Sequence, residues 1–421
     1  MKINEGGNTI AVSKTGKQTK AEKIPIKKIG RKNFYNQVVK LFKQMNKDYK
    51  KMFGTDLWTD ESIIENGFVF NGSTSFIMDP TIPDEEVVKY KETAGDLDIV
   101  VPEYTKENIF NYLQSKDQEE IIKGVRYMGS NKPTLSSIGG QINCVFVFDF
   151  DGLKVPAQVD FEFLPFSETG IPTEWAKFSH SSSFDDCKAG IKAVHHKYLL
   201  RSITYGASVR DDILVCTPKS TWDNIKISKS KESANPRTLK FSVYKGLRIA
   251  YEPLLDPDGN PVYMEGKQVF KCMPTAESSF VTDVAEIFKL TVRPDDISDL
   301  EKCTKKFWSF LGVLEILKEY STKDQIKRIH DRYIDLLWGL TSQKGQRAQE
   351  LERDNPELDY KVKIGGYLKF IETFGLPDKS KDMAPLYYED YGHQRKGPEI
   401  DPMMEESFKG YLKSKNFSLS E

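Results

Sequence analysis

The alternation of apolar and polar residues in the middle of the chain predicts a β-sheet. The segment DLDIVV (96–101) alternates and then becomes fully apolar, as a strand in a core does. The segments 142–150 and 154–164 have the same character. They are joined by the turn-forming pair Asp151-Gly152, so the two strands are predicted to form a β-hairpin.

Helical periodicity is found on both sides of this predicted sheet. Apolar residues three and four positions apart predict an amphipathic helix from Phe34 to Met52. After the hairpin, either Ser182 or Ser183 is predicted to cap a helix that continues through Leu199. Strands and helices in this order indicate an α+β fold with a mixed sheet flanked by helices.

The remaining segments are read from their composition and turn residues. Residues 66–76 predict a strand that runs into a tight glycine turn, and residues 77–94 an irregular acidic connection. Residues 211–273 are rich in strand-forming residues and include a hairpin around 256–260, whereas the pattern beyond 280 is helical. The predicted domains are a basic, partly flexible arm (1–30), a core (31–210), a β-rich extension (211–280) and a helical domain (281–421).

Composition excludes several classes of protein. No run of 18 apolar residues is present, so no membrane-spanning helix is expected, and the N-terminal residues lack the pattern of a secretion signal. The five cysteines are far apart and form no Cys-x-x-Cys pair, which argues against a zinc knuckle and a disulfide framework. A cytoplasmic protein is expected.

Positive charge is concentrated at the start of the chain. Residues 1–53 contain 14 Lys and Arg against 3 Asp and Glu, although the whole chain has a net charge of −1. A basic segment on an acidic body attracts polyanions, so RNA is a candidate partner of this arm and of the helical domain. A solubilising tail followed by an ordinary surface helix explains the same charge equally well.

Two aspartates on the predicted strand 96–101 are the first candidate site residues. Residues i and i+2 of a strand point to the same face, so Asp96 and Asp98 project together while Leu97 enters the core. Paired carboxylates repel each other and resist desolvation unless a cation lies between them. Their hard oxygen atoms favour Mg²⁺ or Mn²⁺.

The hairpin strand 154–164 supplies a third aspartate. Gln158, Asp160 and Glu162 share one face of this strand, opposite an apolar face. Such a polar row faces either solvent or the pair Asp96 and Asp98 on a neighbouring strand. Coincidental surface charge is the weaker interpretation, because apolar residues flank every carboxylate.

A glycine and serine sequence precedes both carboxylate strands. Glycine lets the backbone approach an anion closely, and hydroxyl groups beside free N–H groups hold phosphate oxygens. Gly72, Ser73 and Ser75, which follow a predicted strand, are therefore candidate phosphate-binding residues.

Together these elements resemble the DNA polymerase β-like nucleotidyltransferase superfamily over roughly residues 60–210. The shared pattern is Gly-Ser, then Asp-x-Asp between hydrophobic residues, then a later Asp between hydrophobic residues. The superfamily includes CCA-adding enzymes, poly(A) polymerases, and antibiotic and toxin nucleotidyltransferases. Here the interval from Ser73 to Asp96 is longer than in the shortest members, because of the acidic segment 78–94, which is a candidate lid.

The resemblance implies roles for these residues. Asp96 and Asp98 would hold two metal ions, and Asp160 would be the third ligand and would activate the attacking hydroxyl. Gly72 and Ser73 would grip the β- and γ-phosphates of an NTP such as ATP.

Further positive charge is expected from the helix that follows the third carboxylate. Lys192 and Lys197 on that helix are candidate nucleotide ligands, although a solvated cationic face is the plainer interpretation. His195 and His196 are adjacent and cannot point the same way on a helix, so they are expected to be half-buried and not a metal pair.

The leading hypothesis is a metal-dependent nucleotidyltransferase that transfers NMP from an NTP to a hydroxyl group and releases pyrophosphate. A nucleic-acid 3′ end, such as that of tRNA, is the favoured acceptor. A protein or small-molecule acceptor is an alternative. So is a non-catalytic protein that binds nucleotide or nucleic acid on the same fold.

Overall fold

The computed structural model describes most of the chain in separate stretches, and the statements below concern these residues only. They are residues 10–12, 18–57, 69–116, 122–126, 140–164, 174–180, 182–208, 212–216, 225–227, 238–242, 245–273, 280–281, 305–341 and 364–379. The chain divides into two compact units. The first consists of Met1–Ala193, Val243–Lys245 and Thr282–Val284, and the second consists of the remaining residues.

The first unit contains seven strands and seven α-helices among its described residues. In chain order they are β1 (Ile10–Val12), β2 (Gln18–Lys20), α1 (Ile26–Ile29), α2 (Arg31–Phe53), β3 (Val69–Asn71), α3 (Gly72–Ile77), α4 (Asp84–Tyr90), β4 (Asp96–Pro102), α5 (Lys106–Lys116), β5 (Ile122–Arg126), β6 (Gln141–Phe150), β7 (Leu153–Leu164), α6 (Glu174–His180) and α7 (Phe184–Lys188).

A mixed five-stranded sheet is the centre of this unit. Its strand order is β3-β4-β7-β6-β5, and β4 runs parallel to β7 while the other neighbours are antiparallel. The predicted hairpin is confirmed as β6 and β7, joined at Asp151 and Gly152. Both turn residues have a positive φ, 55° and 91°, which Asp and Gly tolerate better than most residues. The predicted strand 96–101 is also confirmed as β4.

The hydrophobic core of the first unit lies between one face of this sheet and helix α2. Leu97 and Phe161 belong to that face and are fully buried. The ring of Phe42 on α2 lies 6.0 Å from that of Phe161, and Phe34 lies 6.4 Å from Phe150. Each of these large side chains contributes about 1.5–3 kcal/mol by its burial.

Helix α2 confirms the helix predicted from Phe34 to Met52. Its buried residues recur at helical spacing along one side, and it ends at Gly54, which is left-handed with φ 76°. Met52 is the exception to the prediction, because it lies outside the core and is 40% exposed.

The prediction of an irregular connection over residues 77–94 is wrong, because this segment contains helix α4. Three acidic residues in its first turn lie near the positive end of the helix dipole, and this interaction stabilises the helix. Only Val87 of this helix is buried, so the segment has no apolar periodicity to reveal it.

Arg31 holds the loop that precedes α4 in place. Its guanidinium donates to the carbonyls of Ile77, Asp79 and Ile82 and pairs with Asp84 at 2.9 Å.

The single helix predicted from Ser182 or Ser183 through Leu199 is also corrected. Ser183, one of the two predicted capping residues, caps α7, but α7 ends at Lys188. Gly190 follows with φ 75°, a conformation that interrupts a helix. A separate helix, α8, then begins at Ala193.

The second unit combines small sheets with helices. Its elements are α8 (Ala193–Ser208, whose first residue belongs to the first unit), β8 (Ile213–Cys216), β9 (Leu239–Ser242), β10 (Gly246–Ile249), β11 (Tyr251–Pro253), β12 (Tyr263–Met264), β13 (Lys267–Cys272), β14 (Phe280–Val281), α9 (Phe310–Tyr320), α10 (Lys323–Thr341) and α11 (Gly365–Phe374).

The described residues as a whole thus form an α+β structure with mixed sheets, as predicted. In the second unit β13 pairs parallel with β8 and antiparallel with β11 and β12. The predicted turn at 256–260 is confirmed, with the backbone N–H of Gly259 donating to the carbonyl of Asp256 at 3.0 Å. None of the described helices is long and apolar enough to cross a membrane.

Histidines form polar contacts inside the helical part of this unit. His195 and His196 are fully buried rather than half-buried, which corrects the prediction. His195 Nδ1 lies 2.7 Å from the hydroxyl of Tyr333, and His196 Nε2 donates to the carbonyl oxygen of Phe307 at 2.9 Å. Since the two rings have different partners, they do not form a metal pair.

The second unit is expected to lose stability in mild acid because of His196. Burial lowers the pKa of His196 to about 4, against the opposing effect of its hydrogen bond to Phe307. An unfolded histidine has a pKa of about 6.5, so below that pH the unfolded chain binds a proton that the folded chain does not. The stabilisation is complete above about pH 6.5, and about 3 kcal/mol is lost as the pH falls to about 4.

This loss is measured by denaturant unfolding at pH 7 and pH 4.5. His196→Gln keeps an amide donor for the Phe307 carbonyl but does not titrate, so its stability should fall less over the same interval. An equal pH dependence in the wild type and the variant would contradict the assignment to His196.

Candidate metal centre

The pairing of β4 with β7 brings the three predicted aspartates together. In this register Asp98 lies opposite Asp160, and Asp96 lies opposite Gln158. Each of the three aspartates offers a carboxylate oxygen, and these oxygens all lie within 4.8 Å of one another. The cluster lies on the face of the sheet opposite the side that packs against α2, because neighbouring residues of a strand point to opposite faces.

The burial of the cluster makes its charge expensive. Asp160 is 4% exposed, and Asp96 and Asp98 are half-buried. Three carboxylates at this separation repel one another, and partial burial removes the water that screens them. A divalent cation with oxygen ligands offsets this repulsion, so the donor set fits Mg²⁺ or Mn²⁺.

Gln158 fixes the orientation of the buried aspartate. Its side-chain amide nitrogen lies 2.9 Å from each carboxylate oxygen of Asp160. Glu162 shares the same strand face but is bound elsewhere, because the amide nitrogen of Asn71 donates to its Oε2 at 2.9 Å. Of the three polar residues predicted to share a face of β7, Gln158 and Asp160 therefore contact each other, whereas Glu162 contacts Asn71.

Three buried polar atoms beside the cluster have no hydrogen-bond partner among the residues that the structure describes. They are Oδ1 of Asn71, Oγ of Ser73 and Oδ1 of Asn143. The strand register puts Asn71 opposite Asp98, and Asn143 opposite Asp160. Each such group costs about 1–3 kcal/mol when it stays unsatisfied, so a polar ligand at this face would recover that energy.

Gly72 makes room for the carboxylate of Asp98. It has φ 53°, and a Cβ atom at this position would overlap Oδ2 of Asp98. The sequence singled out Gly72 as a phosphate-binding residue, and the structure adds this contact with the acidic pair. A side chain at position 72 would displace the very carboxylate that the metal hypothesis requires.

The hydroxyl residues of α3 differ in their contacts. Ser75 Oγ donates to the carbonyl of Gly72 at 2.8 Å and lies 3.2 Å from that of Ser182. Thr74 donates to the carbonyl of Asp96 at 3.3 Å. The hydroxyl of Ser73, in contrast, is buried and has no hydrogen-bond partner in the described part of the chain. Ser75 and Thr74 thus stabilise the backbone around the cluster, whereas the Ser73 hydroxyl makes no such contact there.

The lysines predicted to bind nucleotide belong to different parts of the chain. Lys192 lies in the first unit, in the turn between α7 and α8, whereas Lys197 lies within α8 in the second unit. Lys188, which the sequence assigned to the same helix, ends α7 and pairs with Asp185 at 2.5 Å. The lysines therefore do not belong to one helix, since Lys188 ends α7, Lys192 lies in the turn and Lys197 lies within α8.

Cys144 lies on β6 close to the cluster, but its environment keeps it neutral. Burial, and secondarily the charge of Asp160, raise the pKa of this thiol well above its usual value. Its Sγ atom donates to the carbonyl of Val159 at 3.4 Å. A neutral, buried thiol is a poor nucleophile, so Cys144 is a packing residue.

Sequence reasoning missed two amides of this site. Asn71 and Asn143 lie on either side of the aspartate row, at the register positions next to Asp98 and Asp160. The signal available for Asn143 was a lone amide within the otherwise apolar run INCVFVF.

Comparisons of the chain with protein-family models, with curated proteins and with solved structures found no significant match.

Substitution of Gly72 by alanine tests the coupling between this glycine and the aspartates. The added methyl group is expected to displace Asp98 and weaken Mn²⁺ binding at least about tenfold, and the left-handed backbone adds about 1–2 kcal/mol of destabilisation. The affinity is measured from the electron paramagnetic resonance signal of free Mn²⁺, and the stability by thermal unfolding.

Gly54→Ala is the matched control. Gly54 has a similar left-handed backbone, with φ 76°, but no atom lies within 4 Å of its added Cβ. This variant should lose stability while keeping its Mn²⁺ affinity. If both variants bind Mn²⁺ as the wild type does, the contact with Asp98 has no bearing on a metal site.

Proposed function

We propose that this chain is a metal-dependent nucleotidyltransferase built on a nucleotidyltransferase core in its first unit. The observation that carries the proposal is the convergence of Asp96, Asp98 and Asp160 on two neighbouring parallel strands. The Gly72-Ser73 sequence follows the strand on the other side of β4, which agrees with the resemblance noted in the sequence.

In this proposal the three aspartates hold Mg²⁺ or Mn²⁺. Two such ions supply Lewis-acid stabilisation of the negative charge that develops on the reacting phosphate. The acceptor hydroxyl oxygen forms a bond to the α-phosphorus of an NTP, the bond to the β-phosphate oxygen breaks, and pyrophosphate leaves. Charge stabilisation and positioning are the main demands of this chemistry, and they suit a site built from carboxylates.

Asp160 is the residue we assign to the acceptor hydroxyl. It is the most buried of the three, and the amide of Gln158 contacts both of its oxygens. A carboxylate held in one orientation is suited to accept the proton of the attacking hydroxyl. Gln158 acts in this scheme as a positioning residue.

Ser73 is assigned to the phosphates of the nucleotide. Its hydroxyl is buried, lies at the start of α3 and has no hydrogen-bond partner among the described residues. The neighbouring amides Asn71 and Asn143 each keep one free acceptor atom at the same face of the sheet. These atoms support a polar ligand at this face, which both the catalytic protein and a non-catalytic nucleotide-binding protein would have.

The acceptor is proposed to be a nucleic-acid 3′ hydroxyl. The excess of 14 basic over 3 acidic residues in the first 53 positions supports a polyanionic partner. A transfer assay with a labelled NTP separates the alternative acceptors, because the label then appears on RNA, on the protein itself or on neither.

Loss of the aspartate pair should abolish transfer. Asp96→Asn and Asp98→Asn each remove a charged ligand, and the loss of several kcal/mol of transition-state stabilisation lowers the rate by at least about a thousandfold. The measurement uses α-³²P-labelled NTPs with Mg²⁺ or Mn²⁺ and follows label transferred to RNA or to protein.

Glu107→Gln serves as the control, since Glu107 is an exposed carboxylate on α5. It should retain full activity, and circular dichroism should confirm that all three variants are folded. Equal labelling by the wild type and the Asp96 and Asp98 variants would refute the proposed function.

Ser73→Ala and Ser75→Ala form a second matched pair. The buried Ser73 hydroxyl has no hydrogen-bond partner among the described residues, so its removal should raise the stability of the nucleotide-free protein by about 1–3 kcal/mol and raise the KM for the NTP. The Ser75 hydroxyl binds backbone carbonyls, so its removal should cost about 1 kcal/mol of stability. Steady-state kinetics and denaturant unfolding distinguish the two, and an unchanged KM in Ser73→Ala would remove Ser73 from the nucleotide site.

A further inference from the structure

The solvent side of helix α2 is a continuous basic surface. With 3.6 residues per turn, its exposed lysines fall within an arc of about 100° around the helix axis, opposite the buried side. At 1.5 Å per residue they extend over about 28 Å of helix. We name this surface the lysine face; it consists of Lys32, Lys40, Lys43, Lys47, Lys50 and Lys51.

Acidic residues contribute little to this face. Asp48 is the one acidic residue within α2; it is half-buried and accepts a hydrogen bond from Gln44 at 2.8 Å. Lys50 pairs with Asp56 just beyond the helix at 3.1 Å, an exposed pair that is worth at most about 1 kcal/mol. With six lysines against these two aspartates, the face carries a net positive charge.

Two exposed aromatic residues border the lysine face. Tyr35 is 39% exposed and Phe53 is 44% exposed. They are 18 residues apart, which is five helical turns, so they share one side of the helix about 27 Å apart. Lys32 precedes Tyr35 by three residues and Lys50 precedes Phe53 by three, so each ring has a lysine on the same side one turn away.

The position of α2 argues against a lipid surface as the partner. A basic amphipathic helix binds a bilayer by inserting its apolar side. The apolar side of α2 is already buried against the sheet, with Phe34 and Phe42 almost completely inaccessible. What α2 presents outward is positive charge with aromatic rings at its border, the combination that suits the phosphates and bases of single-stranded nucleic acid.

We propose that the lysine face, with Tyr35 and Phe53 at its border, binds single-stranded nucleic acid. This inference depends on the proposed function in one respect only, namely that the bound nucleic acid is the acceptor of the transfer. Because α2 covers the side of the sheet opposite the aspartates, the lysine face binds the nucleic acid at a distance from the 3′ end that reacts.

The first test measures RNA binding by the full chain without nucleotide or divalent metal. A fluorescein-labelled 20-nucleotide oligouridylate is titrated at several KCl concentrations and followed by fluorescence anisotropy. Lys40→Gln/Lys43→Gln/Lys47→Gln should weaken binding at least about tenfold at 100 mM KCl. It should also reduce the slope of log K against log salt by about 2, since each phosphate contact contributes about 0.7.

A triple variant in the second unit is the control with the same change of charge. Lys226, Lys267 and Lys271 are exposed lysines in the β-rich part of that unit, and their replacement by Gln should leave the affinity within about twofold of the wild type and the salt slope unchanged. Equal effects of the two triple variants, or no effect of the first, would overturn the proposal. Thermal unfolding verifies that both variants are folded.

The second test addresses the bases. Tyr35→Ala should weaken oligouridylate binding at least about fivefold and leave the binding of heparin, a polyanion without bases, unchanged. Phe53→Ala provides an independent variant at the other end of the helix. If each variant loses the same factor of affinity for RNA and for heparin, the assignment to single-stranded nucleic acid is overturned. It is also overturned if the lysine face is required for binding phosphatidylserine vesicles but not for binding RNA.

These tests are independent of nucleotidyl transfer. A protein that binds RNA through α2 but transfers no label would disprove the proposed function and leave the lysine face intact. A protein that transfers label but binds RNA equally well without these lysines would disprove only the lysine face.

Discussion

The parallel pairing of β4 with β7 is the constraint on which the rest of the first unit depends. Each strand has an apolar face and a polar face, and a shift of one residue in either strand would exchange the two. Burial of Leu97 and Phe161 against α2 therefore forces Asp98 and Asp160 to the opposite face, side by side. The hydrophobic core holds together carboxylates that would otherwise separate. The hairpin β6–β7 fixes β7 in place over ten paired positions, so that β4 has a rigid neighbour.

The polar face is organised around the cost of this charge. Gln158 contacts both oxygens of Asp160, and Asn71 donates to Glu162, so each acidic residue of β7 accepts a hydrogen bond from a neighbouring amide. An amide can satisfy a carboxylate without neutralising its charge. Asn71, Ser73 and Asn143 each have a buried atom without a hydrogen-bond partner in the described structure, which lowers local stability, and such destabilised groups are common at sites that bind ligands.

Much of this arrangement could be predicted from the sequence because it follows from local rules. Period-two alternation and the Asp151-Gly152 turn predicted the hairpin, and helical spacing predicted α2. Other features depend on partners far away in the chain. Helix α4 buries only Val87, so nothing periodic marks it, and the break at Gly190 is a single left-handed residue within an otherwise helical pattern. The full burial of His195 and His196 comes from packing within the second unit, which residue type alone does not reveal.

The contact between Gly72 and Asp98 has a consequence for how this chain can evolve. The glycine is required by the carboxylate beside it, and not only by its own turn. A relative that loses the acid at position 98 to a small residue regains space for a side chain at position 72. The two positions should therefore covary among homologues. A lineage in which both have drifted would have abandoned the metal site while preserving the sheet, whereas a lineage under selection for the site would retain the pair together.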